Sequence, residues 1–143
     1  MRTSPSLKAA LLFQHPTRRV RRAELRAFWQ GLTAKLGVAD CLITTDAELR
    51  RLNREFRKKD YATDVLSFPG SPGEIAVSFD RAAEQAAEMG HGVDAELRIL
   101  MLHGLLHLSG MDHETDAGEM AKAEARWRKS LKLPVGLIER AHA

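Results

Sequence analysis

The chain has 143 residues, of which 44% are hydrophobic and 29% are charged. This balance is typical of one folded globular domain, here residues 1–143, and it excludes disordered and collagen-like chains. The net charge of +3 is unevenly distributed, because residues 1–60 hold 14 Lys/Arg against 6 Asp/Glu (+8) and residues 61–143 hold 8 against 13 (−5). From charge alone, the basic half is either a phosphate-facing surface or the solvated face of a helix.

Several features of the sequence predict a cytoplasmic protein that does not enter a membrane. The longest nearly uncharged apolar run, residues 99–111, is too short to span a bilayer. The N-terminal residues contain no convincing small-residue cleavage site for a secretory signal. The single cysteine, Cys41, cannot form an internal disulfide, which agrees with a reducing compartment.

Hydrophobic spacing and turn residues predict the order of strands and helices. In chain order we expect a strand (7–13), a helix (21–36), a strand (40–45), a helix after Thr45, two strands (64–68 and 74–79) and three helices (80–89, from Asp94, and about 116–131). Gly37, Gly90 and Pro134 stand where the first, third and last of these helices are expected to end. Strands and helices do not alternate regularly, so we expect an α+β fold, with a small mixed sheet packed with helices.

Local motifs add detail to this prediction. Thr45-Asp46-Ala47-Glu48 has the capping-box pattern that starts a helix. The segment "PGSPG" fits a loop, and we expect the strands on either side of it to be neighbours in one sheet. The side chains expected to point inward from the second and last helices are Leu49, Leu52, Phe56, Met120, Ala123, Trp127 and Leu131.

Three of the six histidines lie in the segment "HGLLHLSGMDH", residues 103–113. His103 and His107 are about 40° apart around a helix and one turn apart along it, so both rings can reach one ion. His113 can join them only if the helix ends before it, and Gly110 supplies that break because glycine readily adopts positive φ. The spacing therefore predicts a metal site.

The other histidines, interpreted as ordinary core or surface residues, are His15, His91 and His142.

The type of ligand indicates what the metal does. Three neutral imidazoles leave a tetrahedral zinc ion one position for water, which is typical of catalytic sites. Water bound there has a pKa lowered to about 7, so the pattern favours hydrolysis. Three imidazoles also accept nickel, copper or cobalt. Asp112 and Glu114 are either hydrogen-bond partners of the ligands or solvated residues, and the sequence leaves both interpretations open.

The residue after the first histidine separates two kinds of hydrolysis. Metzincin proteases share the histidine spacing but carry a glutamate there as general base. Here the residue is Gly104, which lacks that proton acceptor and disfavours peptide hydrolysis. A phosphodiester suits a site with a metal and an arginine, which stabilise an anionic transition state. RNA can also supply its own 2′-hydroxyl as the nucleophile.

A second motif, "LNREFRKKDYATDVLSFP", spans residues 52–69 and, taken alone, fits a charged helix end followed by a turn. Together with the histidine segment it resembles the YbeY family, the metal-dependent endoribonucleases that act in bacterial ribosomal RNA maturation. The resemblance covers about residues 39–124. The matching residues are Leu52, Asn53, Arg57, Asp60, residues 63–69, His103, Gly104, Leu106, His107, Leu108, Gly110, Asp112 and His113.

The resemblance implies one zinc ion (Zn²⁺) held by His103, His107 and His113, in a zincin-like arrangement of a helix followed by a glycine turn. It also implies a functional arginine at Arg57, whose planar fork meets a phosphate in a way that a lysine cannot reproduce. The implied activity is single-strand-specific RNA cleavage, in maturation of the 3′ end of small-subunit ribosomal RNA and in ribosome quality control. The implied partners are ribosomal RNA, the 30S and 70S ribosome and ribosomal proteins, with no membrane.

The sequence departs from the family pattern at two positions. Ala62 stands where a proline commonly precedes the Thr-Asp pair, and we expect this change to loosen a turn slightly. Glu74 stands where an aspartate commonly follows the glycine, and its extra methylene would shift any group that this carboxylate orients in the cleft. The "PGSPG" connection is also short for the family.

Three functions remain open from the sequence. The leading one is a metal-dependent endoribonuclease whose basic first half guides the RNA backbone. The second is a ribosome-assembly factor in which zinc is structural and RNA or a ribosomal protein is bound without cleavage, since no acid/base residue is evident. The third, a metalloprotease, is disfavoured by Gly104.

Overall fold

Four strands form one mixed sheet in the computed structural model, which describes residues 9–141. They are β1 (Leu11–Phe13), β2 (Ala39–Thr44), β3 (Val65–Phe68) and β4 (Gly73–Ser78). The order across the sheet is β1-β2-β4-β3, in which β1, β2 and β4 are parallel and β3 is antiparallel to β4. The expected mixed sheet is confirmed, and the two strands beside "PGSPG" are neighbours as predicted. The first strand begins at Leu11, and Leu7 and Lys8 of its predicted range lie outside the described residues.

Six helices are present within residues 9–141. They are α1 (Arg22–Leu36), α2 (Asp46–Arg57), α3 (Phe79–Met89), α4 (Val93–Leu108), α5 (Glu119–Ser130) and α6 (Leu137–Ala141). All five predicted helices are found, with only small differences at their ends. The sequence pattern does not predict α6, because so short a helix cannot show a helical hydrophobic period. In the same part of the chain, no helix is long and apolar enough to cross a membrane.

The ends of the helices agree with the capping signals in the sequence. The Thr45 hydroxyl accepts a hydrogen bond from the Glu48 amide at 3.2 Å, as the capping box predicts. Gly37 and Gly90 end α1 and α3 with φ values of 122° and 76°, a backbone region that favours glycine. Local sequence therefore fixes where these three helices begin or end.

The prediction that Phe56 points inward is wrong. Leu49 is buried and Leu52 is half-buried beneath α2, but Phe56 is 60% exposed. Its ring packs edge-on against Phe68 of β3, with the two centroids 5.8 Å apart. Phe56 also lines an open groove on this face of the sheet together with Leu42 and Glu74, which leaves its ring accessible to solvent.

Hydrophobic side chains pack on both faces of the sheet. Alternate residues of β4 point to opposite faces, as in any strand. Ile75 and Val77 join the larger core with α1, α3 and α4, whereas Ala76 packs with Leu49 of α2. One face is therefore covered by α2, and the larger core lies on the other face.

The central helix of the larger core is α4, which lies directly against the sheet and is buried on almost every side. A Cβ atom at Gly104 would lie 3.1 Å from Cγ2 of Ile75 and 3.3 Å from Cγ2 of Val65, closer than side chains normally pack. The Ser67 hydroxyl donates a hydrogen bond to the Gly104 carbonyl at 3.1 Å. Glycine at this position therefore allows α4 to approach β3 and β4, and this places the histidines of α4 beside the edge of the sheet.

We expect Gly104→Ala to be less stable than Gly31→Ala, a matched change on an exposed part of α1. Both substitutions favour the helix by about 1 kcal/mol, because alanine loses less backbone entropy than glycine on folding. A Cβ atom at Gly31 meets nothing within 4 Å, whereas crowding in a packed core costs about 1–3 kcal/mol. The free energy of unfolding, measured by urea denaturation, should differ between the two variants by that crowding cost. Equal stabilities would contradict the close-packing role of Gly104.

Candidate metal centre and cleft

The three predicted histidines lie together at the C-terminal end of α4. His103 and His107 are on its last two turns, and the helix ends in a Schellman motif with Gly110 at φ 98° and backbone hydrogen bonds from the amides of Gly110 and Met111. This turn brings His113 back, so that the candidate ligand atoms of the three side chains all lie within 4.8 Å of one another. The three side chains are close enough to bind one metal ion, and the predicted break at Gly110 is confirmed.

Hydrogen bonds fix the orientation of two of the rings. Nδ1 of His103 donates to Oε2 of Glu124 at 2.8 Å, and Nδ1 of His107 donates to the carbonyl oxygen of Met111 at 3.0 Å. A carboxylate or a carbonyl only accepts, so the proton of each neutral ring is on Nδ1. Nε2 of each ring therefore keeps a lone pair, the state in which it can bind a metal ion.

The surroundings of His107 favour its neutral form. Burial of the ring, followed by the charge that the neighbouring His103 would carry, holds the pKa of His107 below its ordinary value. The neutral ring is the form that binds metal, and three neutral nitrogen donors are a set that zinc, nickel, copper and cobalt accept. The residues present therefore fit one metal ion of this group.

The loop that carries His113 is held mainly by its own carboxylates. Asp112 accepts a hydrogen bond from the Glu114 amide at 3.0 Å, and Asp116 accepts from two amides near the start of α5 at 2.8 and 2.9 Å. These backbone hydrogen bonds hold the pKa of Asp116 below its usual range. Within the described residues, neither Asp112 nor Glu114 forms a hydrogen bond to one of the three clustered histidines, so neither fixes the orientation of their rings.

Glu124 is a site residue that the sequence analysis missed. It lies on α5 directly after Ala123, on the helix face that also carries Met120 and Trp127, and it is fully buried. An acidic residue on an otherwise apolar helix face is the signal that reveals it, because a buried carboxylate needs a partner. That partner is His103, a candidate metal ligand, which lies 21 residues earlier in the sequence.

The histidines line a cleft of about 570 Å³ whose other wall is formed by the second predicted motif. Arg57, at the end of α2, lines this wall together with Thr63 and Ser67. The Arg57 guanidinium donates to the Ser67 carbonyl and lies 5.6 Å from the ring centroid of Phe68. The structure therefore brings Arg57 and the three histidines to one cleft.

Two further residues of this motif shape the loop between α2 and β3. Asn53 is buried, and its Nδ2 donates to the Tyr61 carbonyl at 2.9 Å. Asp60 pairs with Arg50 of α2 at 3.0 Å. These contacts fold the loop back on α2, which explains the polar residues of the motif that do not line the cleft.

Most basic residues of the first half lie away from the cleft. Among the described ones, those that line it are Arg57 and Lys59. Arg22 and Arg26 lie over the Phe13 ring, at 4.6 and 5.3 Å from its centroid, on β1 at the opposite edge of the sheet from β3. The charge count alone therefore does not identify the residues that reach the cleft.

The expectation that Glu74 affects the cleft is not supported. Glu74 lies on the other side of the sheet, in a separate groove of about 550 Å³ that it shares with Leu42, Leu52 and Phe56. Its longer side chain therefore points away from the histidines. Ala62 is half-buried in the loop before Thr63, where it does not line the cleft.

The fold and the cleft define a class of protein, a small α+β domain in which a three-histidine cluster and an arginine line one cleft. The family model described as Endoribonuclease YbeY matches residues 18–132. The chain belongs to the YbeY family of endoribonucleases, and the resemblance drawn from the two motifs is confirmed.

Relatives and a solved structure agree with this membership. An Endoribonuclease YbeY from Solibacter usitatus is 64% identical over 107 residues, which cover 73% of each chain. Another from Nautilia profundicola is 53% identical over 107 residues, which cover 71% of this chain and 77% of the relative. The solution structure of TM1509 from Thermotoga maritima matches with a TM-score of 0.61 at 26% identity, covering 86% of this chain and 91% of that one.

Proposed function

We propose that this protein is a single-domain, metal-dependent endoribonuclease that cleaves single-stranded RNA. Its proposed role is maturation of the 3′ end of small-subunit ribosomal RNA and ribosome quality control, with the ribosome and its proteins as partners. Membership of the YbeY family supports the activity. The observation that carries the proposal is the single cleft lined by three clustered histidines and an arginine, since that combination suits an anionic phosphodiester.

His103, His107 and His113 are the proposed ligands of one zinc ion. Three imidazole nitrogens match the donors that zinc prefers, and the hydrogen bonds to Nδ1 leave Nε2 of His103 and His107 available. When bound, zinc supplies a Lewis acid that polarises a phosphate oxygen or the attacking oxygen. The protein's own contribution is to hold the rings of His103 and His107 in a fixed orientation before the ion arrives.

Arg57 is the proposed phosphate-binding residue. Its guanidinium can donate two parallel hydrogen bonds to a phosphate and offset the charge that develops during cleavage. Its contacts with the Ser67 carbonyl and the Phe68 ring hold the side chain at the cleft wall. Lys59 lines the same cleft and adds positive charge for the RNA backbone.

We expect His107→Ala to abolish metal retention, because two imidazoles alone hold zinc far less tightly than three. His15→Gln is the matched control, since His15 pairs with Asp80 and lies outside the cluster. Metal content per chain should fall from about one ion to near zero in His107→Ala and stay unchanged in the control. Cleavage of a short fragment from the 3′ end of small-subunit rRNA is measured on the same preparations.

Full RNA cleavage by the metal-free His107→Ala variant would contradict the metal-centred mechanism. Cleavage that resists a chelator indicates a contaminating ribonuclease. RNA binding without cleavage by the metal-loaded wild-type protein would favour the assembly-factor hypothesis instead. Casein cleavage that follows zinc content would instead support the metalloprotease hypothesis, which is disfavoured because Gly104 supplies no general base.

We expect Arg57→Ala to retain the metal ion but to lower RNA cleavage by about 100-fold or more, the typical loss when one transition-state donor is removed. Arg57→Lys should recover only part of this activity, because an ammonium group cannot form the bidentate contact. Arg54→Ala, on the exposed side of the same helix near Asp60, is the matched control and should cleave normally. Wild-type cleavage by Arg57→Ala would exclude the proposed role of this residue.

A further inference from the structure

A single carboxylate connects the metal-binding helix to the C-terminal segment. Glu124 has an exposed fraction of 0%, and both of its oxygens are used. Oε2 accepts from Nδ1 of His103 at 2.8 Å, and Oε1 accepts from the backbone amide of Ile138 in α6 at 2.9 Å. Two donors from distant parts of the chain therefore converge on this one side chain.

The backbone at Gly136 packs directly on the same carboxylate. A Cβ atom at this position would lie 2.7 Å from Cδ and 2.9 Å from Cγ of Glu124 and would contact Oε1 even more closely. Real side chains essentially never pack at such distances, so only glycine fits at residue 136 while Glu124 keeps its position. Any side chain at residue 136 has to displace the carboxylate.

The segment that contacts Glu124 is itself held in place. Arg140 of α6 donates two hydrogen bonds to the buried carboxylate of Glu96 in α4, at 3.0 and 3.2 Å. Glu139 pairs with Arg128 of α5 at 2.7 and 2.9 Å. These ion pairs fix α6 on α4 and α5, and α6 lies beyond residues 18–132 that the family model matches.

We infer that Glu124 is a positioning residue for His103, and that residues 136–140 set the metal affinity of the site by holding Glu124. The inference rests on the proposed metal site. A carboxylate that accepts from Nδ1 keeps the ring proton there, fixes the ring plane and makes Nε2 more basic. Such a partner is typically worth about 10–100-fold in metal affinity.

The substitution Glu124→Gln tests this role with almost no change in volume. A carboxylate accepts from both His103 and Ile138, whereas an amide has one accepting oxygen and one donating nitrogen. If the amide oxygen faces the Ile138 amide, its NH₂ group faces Nδ1 of His103. The ring then moves its proton to Nε2, the atom needed for the metal.

Two measurements separate positioning from a purely structural role. The first is zinc affinity, measured by competition with a chromophoric chelator, which should fall about 10–100-fold in Glu124→Gln and in Gly136→Ala. Gly31→Ala, whose added Cβ meets nothing within 4 Å, is the matched glycine control and should bind zinc like the wild type. The second is the nitrogen-15 NMR spectrum of the metal-free protein, in which His103 should carry its proton on Nδ1 in the wild type and shift toward Nε2 in Glu124→Gln.

Wild-type zinc affinity and an unchanged His103 tautomer in Glu124→Gln would overturn the inference. If that variant does not fold, Gly136→Ala decides, because it displaces the carboxylate without removing it. If the wild type itself binds no zinc, the proposed metal site fails. The NMR tautomer, measured without metal, then still reports whether Glu124 controls His103.

Discussion

Helix α4 packs against β3 and β4 through the backbone of Gly104, so closely that an added Cβ atom would lie 3.1 Å from Ile75 and 3.3 Å from Val65. This contact sets how far the last two turns of α4 lie from the edge strand β3. One face of the cleft is formed by those turns, with His103 and His107, and the facing wall includes Ser67 of β3. The width of the cleft therefore depends on helix-to-sheet packing, in which a residue larger than glycine would crowd Ile75 and Val65.

Two buried carboxylates also constrain the geometry of the site. Glu96 and Glu124 are both fully buried, and burial of a charge is tolerated only when donors replace its water. Glu96 accepts a hydrogen bond from the Arg140 guanidinium, and Glu124 accepts one from the Ile138 amide. Each carboxylate is therefore hydrogen-bonded to α6. Because Glu124 also accepts from His103, the position of a five-residue helix is coupled to the orientation of a candidate metal ligand. Loss of any one donor would remove part of the hydrogen bonding that stabilises a buried carboxylate.

The parts of this structure that the sequence predicts are those set by neighbours along the chain. The capping box at Thr45 and the histidine spacing before Gly110 involve residues within about two helical turns of one another, so their patterns are visible without tertiary information. Glu124 and Phe56 show the opposite case. The partner of Glu124 is 21 residues away, and Phe56 lies at an open groove lined by residues from other strands. Both depend on packing that no local pattern encodes.

Ser67 joins the two motifs of the chain into one site. Its carbonyl accepts from the Arg57 guanidinium, and its hydroxyl donates to the Gly104 carbonyl on α4, the helix that carries His103 and His107. The position that holds a general base in metzincin proteases is here a glycine in backbone contact with this strand, where a larger side chain would be crowded by Ile75 and Val65. The same contact fixes Arg57 relative to the histidines through a single intervening residue. The cleft therefore carries a cationic side chain on the wall that faces the histidines, an arrangement that suits an anionic phosphodiester better than a neutral amide.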